Sequence, residues 1–222
     1  MREVILDTET TGLNSDNGDR IVEIGCVELV NHVATGATYH QYVNPERSMP
    51  DEAFQIHGLS EAFLSEFPVM SDIIDEFLGF IGEAPLVIHN AEFDLRFLNA
   101  ELARLDKPAL NIKRGIDTVH LARKKFPGTS VSLNALCKRF SIDNSSRSFH
   151  GALLDAHLLA SVYLELVGGK QRGLELSTKE IANEAIAIDG NRRDSRNFAV
   201  KDEELKAHAR FLAKITKPIW NI

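Results

Sequence analysis

Val4-Ile5-Leu6-Asp7-Thr8-Glu9-Thr10-Thr11-Gly12 runs from three apolar residues straight into a polar segment closed by glycine. So short an apolar run with a glycine stop reads as a buried strand that delivers polar groups at its end. Asp7 and Glu9 are two apart on extended backbone, so their side chains leave on the same side. The plan recurs at Leu86-Val87-Ile88, which runs into His89-Asn90-Ala91-Glu92-Phe93-Asp94. There the polar segment opens a helix that carries Phe93, Phe97, Leu98 and Leu102 on its apolar side.

Outward from these strands, residues 21–30 read as a second strand and 39–43 as a third, closed by Asn44-Pro45. Their short links predict an antiparallel meander of the first three strands. Ile73, Ile74, Phe77, Leu78 and Ile81 follow helical spacing within residues 72–81. A brief strand at 116–117 and helices over 118–125, 132–140 and 151–167 complete the domain. Strands first, then strand–helix alternation, predicts an α/β domain with a mixed central sheet. Phe54 is expected in its core.

After Val167 the texture changes. Gly168-Gly169 breaks the helix, and residues 168–198 are polar without sustained periodicity, as expected of a flexible linker. Order is expected to return in the tail, residues 199–222. Asp202 is placed to cap a helix with Glu203 and Glu204 in its first turn. Leu205, Ala209, Leu212 and Ile215 form one stripe, Pro218 is expected to stop the helix, and Trp220 is the only tryptophan. The division is thus 1–167, 168–198 and 199–222.

The chain of 222 residues, 44% hydrophobic and 26% charged, suits one full domain with an appendage. No apolar run is long enough to span a bilayer, and Met1-Arg2-Glu3-Val4-Ile5 lacks the apolar region of a signal peptide, so a cytoplasmic protein is expected. Cys26 and Cys137 stand in apolar segments and read as reduced core thiols. With 25 basic and 32 acidic residues the net charge is −7, contrary to the basic balance of a free-standing nucleic-acid binder. The objection lapses if the acidic residues hold cations and a partner supplies the grip on DNA.

The acidic residues within apolar surroundings carry the chemistry. Asp7 and Glu9 share a strand end, Asp94 opens a helix, and Asp155 interrupts Ala152-Leu153-Leu154-Asp155-Ala156, a poor place for an uncompensated charge. Singly, each reads as a cap, a turn former or a dipole partner. Brought together, four carboxylates repel unless cations bind them. An oxygen ligand set without cysteine selects Mg²⁺ or Mn²⁺ over zinc. Two such ions about 3.5–4 Å apart are an arrangement for cutting phosphodiesters by in-line attack. Spacing alone leaves open whether the four converge.

Asp7-Thr8-Glu9-Thr10-Thr11-Gly12, His89-Asn90-Ala91-Glu92-Phe93-Asp94 and His150-Gly151-Ala152-Leu153-Leu154-Asp155 resemble, in order, the three motifs of the DEDDh family of 3′→5′ exonucleases. The match covers about the first three-quarters of the chain. The resemblance implies a ribonuclease H-like fold, a five-stranded mixed sheet flanked by helices. It further implies that Asp7, Glu9 and Asp155 hold the ion that activates the attacking water. Asp7 bridges to a second ion supported by Asp94, and His150 is the general base. An unperturbed imidazole pKa of about 6.5 suits that role. The terminal nucleotide falls, by the same resemblance, to the backbone and hydroxyls of Thr8 and Thr10. Ile56 and His57, within Phe54-Gln55-Ile56-His57-Gly58, are similar to residues that pack on the 3′-terminal base and sugar. His89 and Asn90 either touch the phosphate region or shape the turn.

The tail bears on which member this is. Gly168 to Leu176 is similar to the sliding-clamp peptide of the proofreading members that work within bacterial DNA polymerase III. Gln171, Leu174 and Leu176 take the anchor positions, with Leu176 where phenylalanine is common. The last segment, with Leu205, Leu212 and Trp220, resembles the tail that anchors such members to the polymerase (alpha) subunit. The implied function is removal of mispaired nucleotides from DNA 3′ ends. Members that trim RNA or short oligonucleotides share the same motifs and are the alternative, and a non-catalytic docking subunit is a more distant one.

Overall fold

Five strands form one sheet: β1 (Arg2–Thr10), β2 (Ile21–Val30), β3 (Val33–Tyr42), β4 (Leu86–Ile88) and β5 (Gly115–Asp117). Their order is β3-β2-β1-β4-β5. β1 pairs with β2 and β2 with β3 antiparallel, whereas β1–β4 and β4–β5 are parallel. The meander and the mixed sheet are both present. The structure, a computed structural model, describes residues 1–145, 149–168 and 199–215. The chain divides into two units, Met1–Glu175 and Leu176–Ile222.

β1 is central, so both of its faces are covered. Val4 and Leu6 enter a core with Phe77 and Phe97, while Ile5 enters a second with Val27, Leu159 and Val162. The first core is roofed by α3 (Met70–Ile81) and α4 (Ala91–Arg104), preceded in the chain by two short helices, α1 (Asp51–His57) and α2 (Glu61–Leu64). The second lies under α5 (Thr118–Lys125), α6 (Leu133–Phe140) and α7 (Ala152–Leu166). Cys26 and Cys137 are buried free thiols, and burial pushes the Cys26 thiol far up, so it stays protonated.

Two expectations need correction, and two helices were not foreseen. β3 begins at Val33 rather than at residue 39, because its first half lies on the exposed sheet edge and carries no apolar pattern. α1 and α2 have no signal in the apolar spacing, since α1 buries only Ala53 and His57 and α2 only Leu64. Phe54 is 43% exposed and does not belong to the core. Short helices give periodicity too few turns to register.

The second unit contains α8 (Asp202–Leu212). Its N-cap is Lys201, so Asp202 does not cap it but stands first in the helix, with Glu203 and Glu204 beside it at the positive end of the dipole. The helix ends at Leu212, leaving Ile215 beyond it; Pro218 lies outside the described residues. No residue of α8 is buried, and Leu205 is 53% exposed. Gln171, Leu174, Leu176 and Trp220 also lie outside the described residues, as does the linker from residue 169. Among the described residues, no helix is long and apolar enough to cross a membrane.

Candidate active site

The period of two along β1 decides where its carboxylates go. Glu3, Ile5, Asp7 and Glu9 alternate with Val4, Leu6 and Thr8 and therefore share the face toward α7. Tyr163 of α7 donates its hydroxyl to Glu3 Oε1 at 2.8 Å at one end of the strand. At the other end, Asp155 in the first turn of α7 approaches Glu9 and lines one cleft with Asp7. Gly25 of β2, paired with Asp7, permits this approach. A Cβ there would stand 2.2 Å from Leu153 N and 2.3 Å from Ala152 C. The helix backbone thus lies directly on the sheet, and only glycine leaves room for it.

The parallel pairing of β1 and β4 brings their carboxyl ends side by side, the edge at which open α/β sheets present ligand sites. A cleft of about 400 Å³ opens there, lined by Asp7, Glu9, Asp94, His150 and Asp155, with Thr8, His89 and Asn90. All five residues of the acidic and histidine set face one space. Within it Glu9, His150 and Asp155 form the tight group, with ligand atoms that lie within 4.8 Å of one another. His150 Nδ1 is 3.5 Å from Asp155 Oδ2.

Asp94 is buried, and burial pushes its carboxyl up to about 7, against hydrogen bonds from the Thr8 hydroxyl and from backbone amides. Thr8 Oγ1 donates to Asp94 Oδ1 at 2.7 Å. A carboxyl so placed takes its charge readily only beside a cation. The donors therefore fit divalent metal: carboxylate oxygens and one imidazole in a cleft with no cysteine.

A second cleft of about 570 Å³ shares Thr8, Glu9 and Phe93 with the first and is lined by Thr10, Ile56 and His57. The hydroxyl of Thr10 donates to Gly12 O at 2.6 Å. Both threonine hydroxyl protons are thus committed within the protein. His57 Nδ1 accepts the Leu59 N–H at 3.0 Å, which leaves the proton of the neutral ring on Nε2. That nitrogen is buried and makes no hydrogen bond of full geometry among the described residues, although the Thr10 backbone lies near enough to favour the charged ring. Burial lowers the His57 pKa; Glu23 and the Thr10 backbone oppose the shift and His150 adds to it. Ile56 is 48% exposed beside it.

His89 and Asn90 are braced from β5 and α5. The Thr118 hydroxyl donates to Ile88 O at 3.2 Å, so it accepts from His89 Nδ1 at 2.8 Å. Asn90 caps α4 in the left-handed region, φ 77°, which asparagine tolerates, and its N–H donates to Asp117 Oδ1 at 3.3 Å. Sequence reasoning missed Gly25, Asp117 and Thr118. A signal existed only for the glycine, isolated within a strand pattern.

Carboxylates and a histidine gathered at the parallel strand ends of such a sheet suit hydrolysis assisted by divalent metal. Residues 4–163 match the exonuclease family RNase_T. Over 98% of both chains the protein is 48% identical to the DNA polymerase III subunit epsilon of Rickettsia felis. It is 42% identical to that of Escherichia coli K12, over 97% of this chain and 94% of the other. The chain belongs to the exonuclease family and, within it, to the DNA polymerase III subunit epsilon group. Among solved structures, exonuclease X in complex with 5′-overhanging duplex DNA aligns with TM-score 0.59 and 28% identity, over 74% of this chain and 90% of that one. The nuclease domain of 3′hExo, a DEDDh family member bound to rAMP, shares the fold at TM-score 0.65 and 18% identity, over 77% and 94%.

Proposed function

We propose that the protein is the proofreading 3′→5′ exonuclease of a bacterial DNA polymerase III, hydrolysing mispaired nucleotides from DNA 3′ ends with divalent metal, Mg²⁺ or Mn²⁺. The observation that carries this is the convergence of Asp7, Glu9, Asp94, Asp155 and His150 on one cleft. Asp7, Glu9 and Asp155 would hold one ion, with Asp7 and Asp94 toward a second. Bound there, two ions supply the positive charge that makes water nucleophilic and stabilises the leaving 3′-oxygen.

The rest falls to the chain itself. The His150 imidazole takes the proton of the attacking water, and Asp155, 3.5 Å from its Nδ1, steadies the charge it gains. The Thr8 hydroxyl holds Asp94 in place and orients its second oxygen to the cleft. Thr8 and Thr10 contribute their backbone and the shape of the wall to the terminal nucleotide. His57 offers its buried Nε2–H to a sugar or phosphate oxygen, and Ile56 its exposed side chain to the base. His89 and Asn90 shape the cleft on the phosphate side. Contact through shape and apolar surface tolerates any base, as proofreading demands.

The tail, by the same reading, holds the enzyme in the cytoplasmic replication machinery. Leu205, Leu212 and Trp220 anchor it to the polymerase alpha subunit, and Gln171, Leu174 and Leu176 to the sliding clamp. Supporting this are the exposed apolar side chains of α8, among them Leu205 at 53% and Phe211 at 61%. The test is release of mononucleotides from a labelled primer with a 3′ mismatch, with Mg²⁺, Mn²⁺ or chelator. Metal-dependent release from the DNA 3′ end is expected. Strict dependence on a ribose end, or no release under any metal, would overturn the reading.

A further inference from the structure

His150 stands ahead of α7 and not in it. The helix starts at Ala152, behind Gly151 in extended conformation (φ −150°, ψ 127°), so the imidazole stands on a short lead before the first turn. Two contacts tie that lead to α1. The backbone N–H of His150 donates to Ile56 O at 3.1 Å. The ring of Phe149 lies on Gly58, where a Cβ would stand 3.4 Å from ring atoms Cδ1 and Cγ. Gly58 ends α1 at φ 73°, with its N–H on Phe54 O at 2.7 Å, a conformation that glycine adopts without strain.

Phe149 is 55% exposed, so it adds little to the core. Its ring is half-spent on Gly58 and its neighbour is tied to Ile56 O. The same α1 carries Ile56 and His57 into the cleft assigned to the terminal nucleotide. We propose that Phe149 and Gly58 are positioning residues: they latch the His150 lead to the end of α1, so that the helix that receives the substrate also places the general base. This rests on the reading of His150 as that base. A nucleotide pressing on Ile56 and His57 is felt at His150 through one hydrogen bond and one ring contact.

Without the ring, the lead keeps only its hydrogen bond to α1, and the imidazole spends time away from the water. Small misplacement of a catalytic group costs up to about a hundredfold in rate. Steady-state kinetics on a short single strand with saturating Mg²⁺ test this in the full-length chain. F149A is expected to lower kcat by about ten- to a hundredfold with KM within about twofold. Phe149→Leu is expected to restore most of the rate. The double variant F149A/H150A is expected to be no slower than H150A alone, because the ring acts only through the imidazole. Were F149A to slow the H150A enzyme by the same factor as the parent, or to act on KM alone, the latch would be wrong. If H150A is crippled and F149A is not, the latch alone falls. If H150A is as fast as the parent, the base assignment falls and the latch with it.

Discussion

Asp94 is the residue at which burial bears most directly on charge. Its carboxyl titrates near 7 in the fold against an ordinary 3.8, through burial. Below the unfolded value both states hold the proton. Between the two, the native state keeps a proton that the unfolded chain has lost, so stability falls as pH rises through about 7. Metal-free protein is therefore expected to lose Tm between pH 4 and 7, and Asp94→Asn to flatten that slope. Added Mg²⁺ is expected to raise Tm more at pH 8 than at pH 6, since at the lower pH the ion must displace a proton. An identical Mg²⁺ shift at both pH values would show that Asp94 does not sense the ion. At His150 the expectation is kinetic: His150→Ala keeps its thermal transition but loses on the order of 10²–10⁴ in rate, read from nucleotide release. Asp7→Asn is expected to lose nearly all activity in the same assay.

At the scale of elements, the site depends on how closely α7 lies on the sheet. Gly25 is where strand and helix touch, and an added methyl would overlap the backbone of Ala152 and Leu153. Neither backbone can give way as a flexible side chain does. Gly25→Ala is expected to cost about 1–3 kcal/mol, as overpacking does, and to lower kcat beyond any change in Tm because Asp155 rides on the displaced turn. Normal kcat in a folded Gly25→Ala enzyme would count against this placement. α7 itself was legible from its apolar residues, and so was Asp155 as an outlier among them. The contact of helix on strand was not: it depends on which strand lies beneath Ala152, and local spacing does not encode that. α1 was illegible for the opposite reason, being too short and too exposed to show a face.

For the whole molecule the question is how a chain of net charge −7 acts on a polyanion. On the proposed function, attachment to the polymerase answers it, since a tethered site acts at an effective concentration that reaches about millimolar with short linkers. A chain ending near Val167 is accordingly expected to degrade short single strands as the full chain does but to fail to co-purify with the polymerase. Retention of the polymerase by that truncation would remove the anchoring role from α8 and the residues around it.

What the amino-acid sequence determined by itself is most of the strand plan and which acidic residues stand in apolar surroundings. Period-two alternation sends Asp7 and Glu9 to one side, apolar runs end in polar turns, and an acid such as Asp155 in an apolar helix needs a counter-charge. These are consequences of backbone geometry and desolvation acting within a few residues. Only the tertiary structure decided that Asp94 and Asp155, separated in the chain from β1 and from each other, arrive at the same cleft, that Thr8 is spent on Asp94, and that His150 hangs from α1. Those facts come from the parallel pairing of β1 with β4 and from the seat that Gly25 leaves for α7. Such long-range contacts are set by global packing, which no local pattern contains.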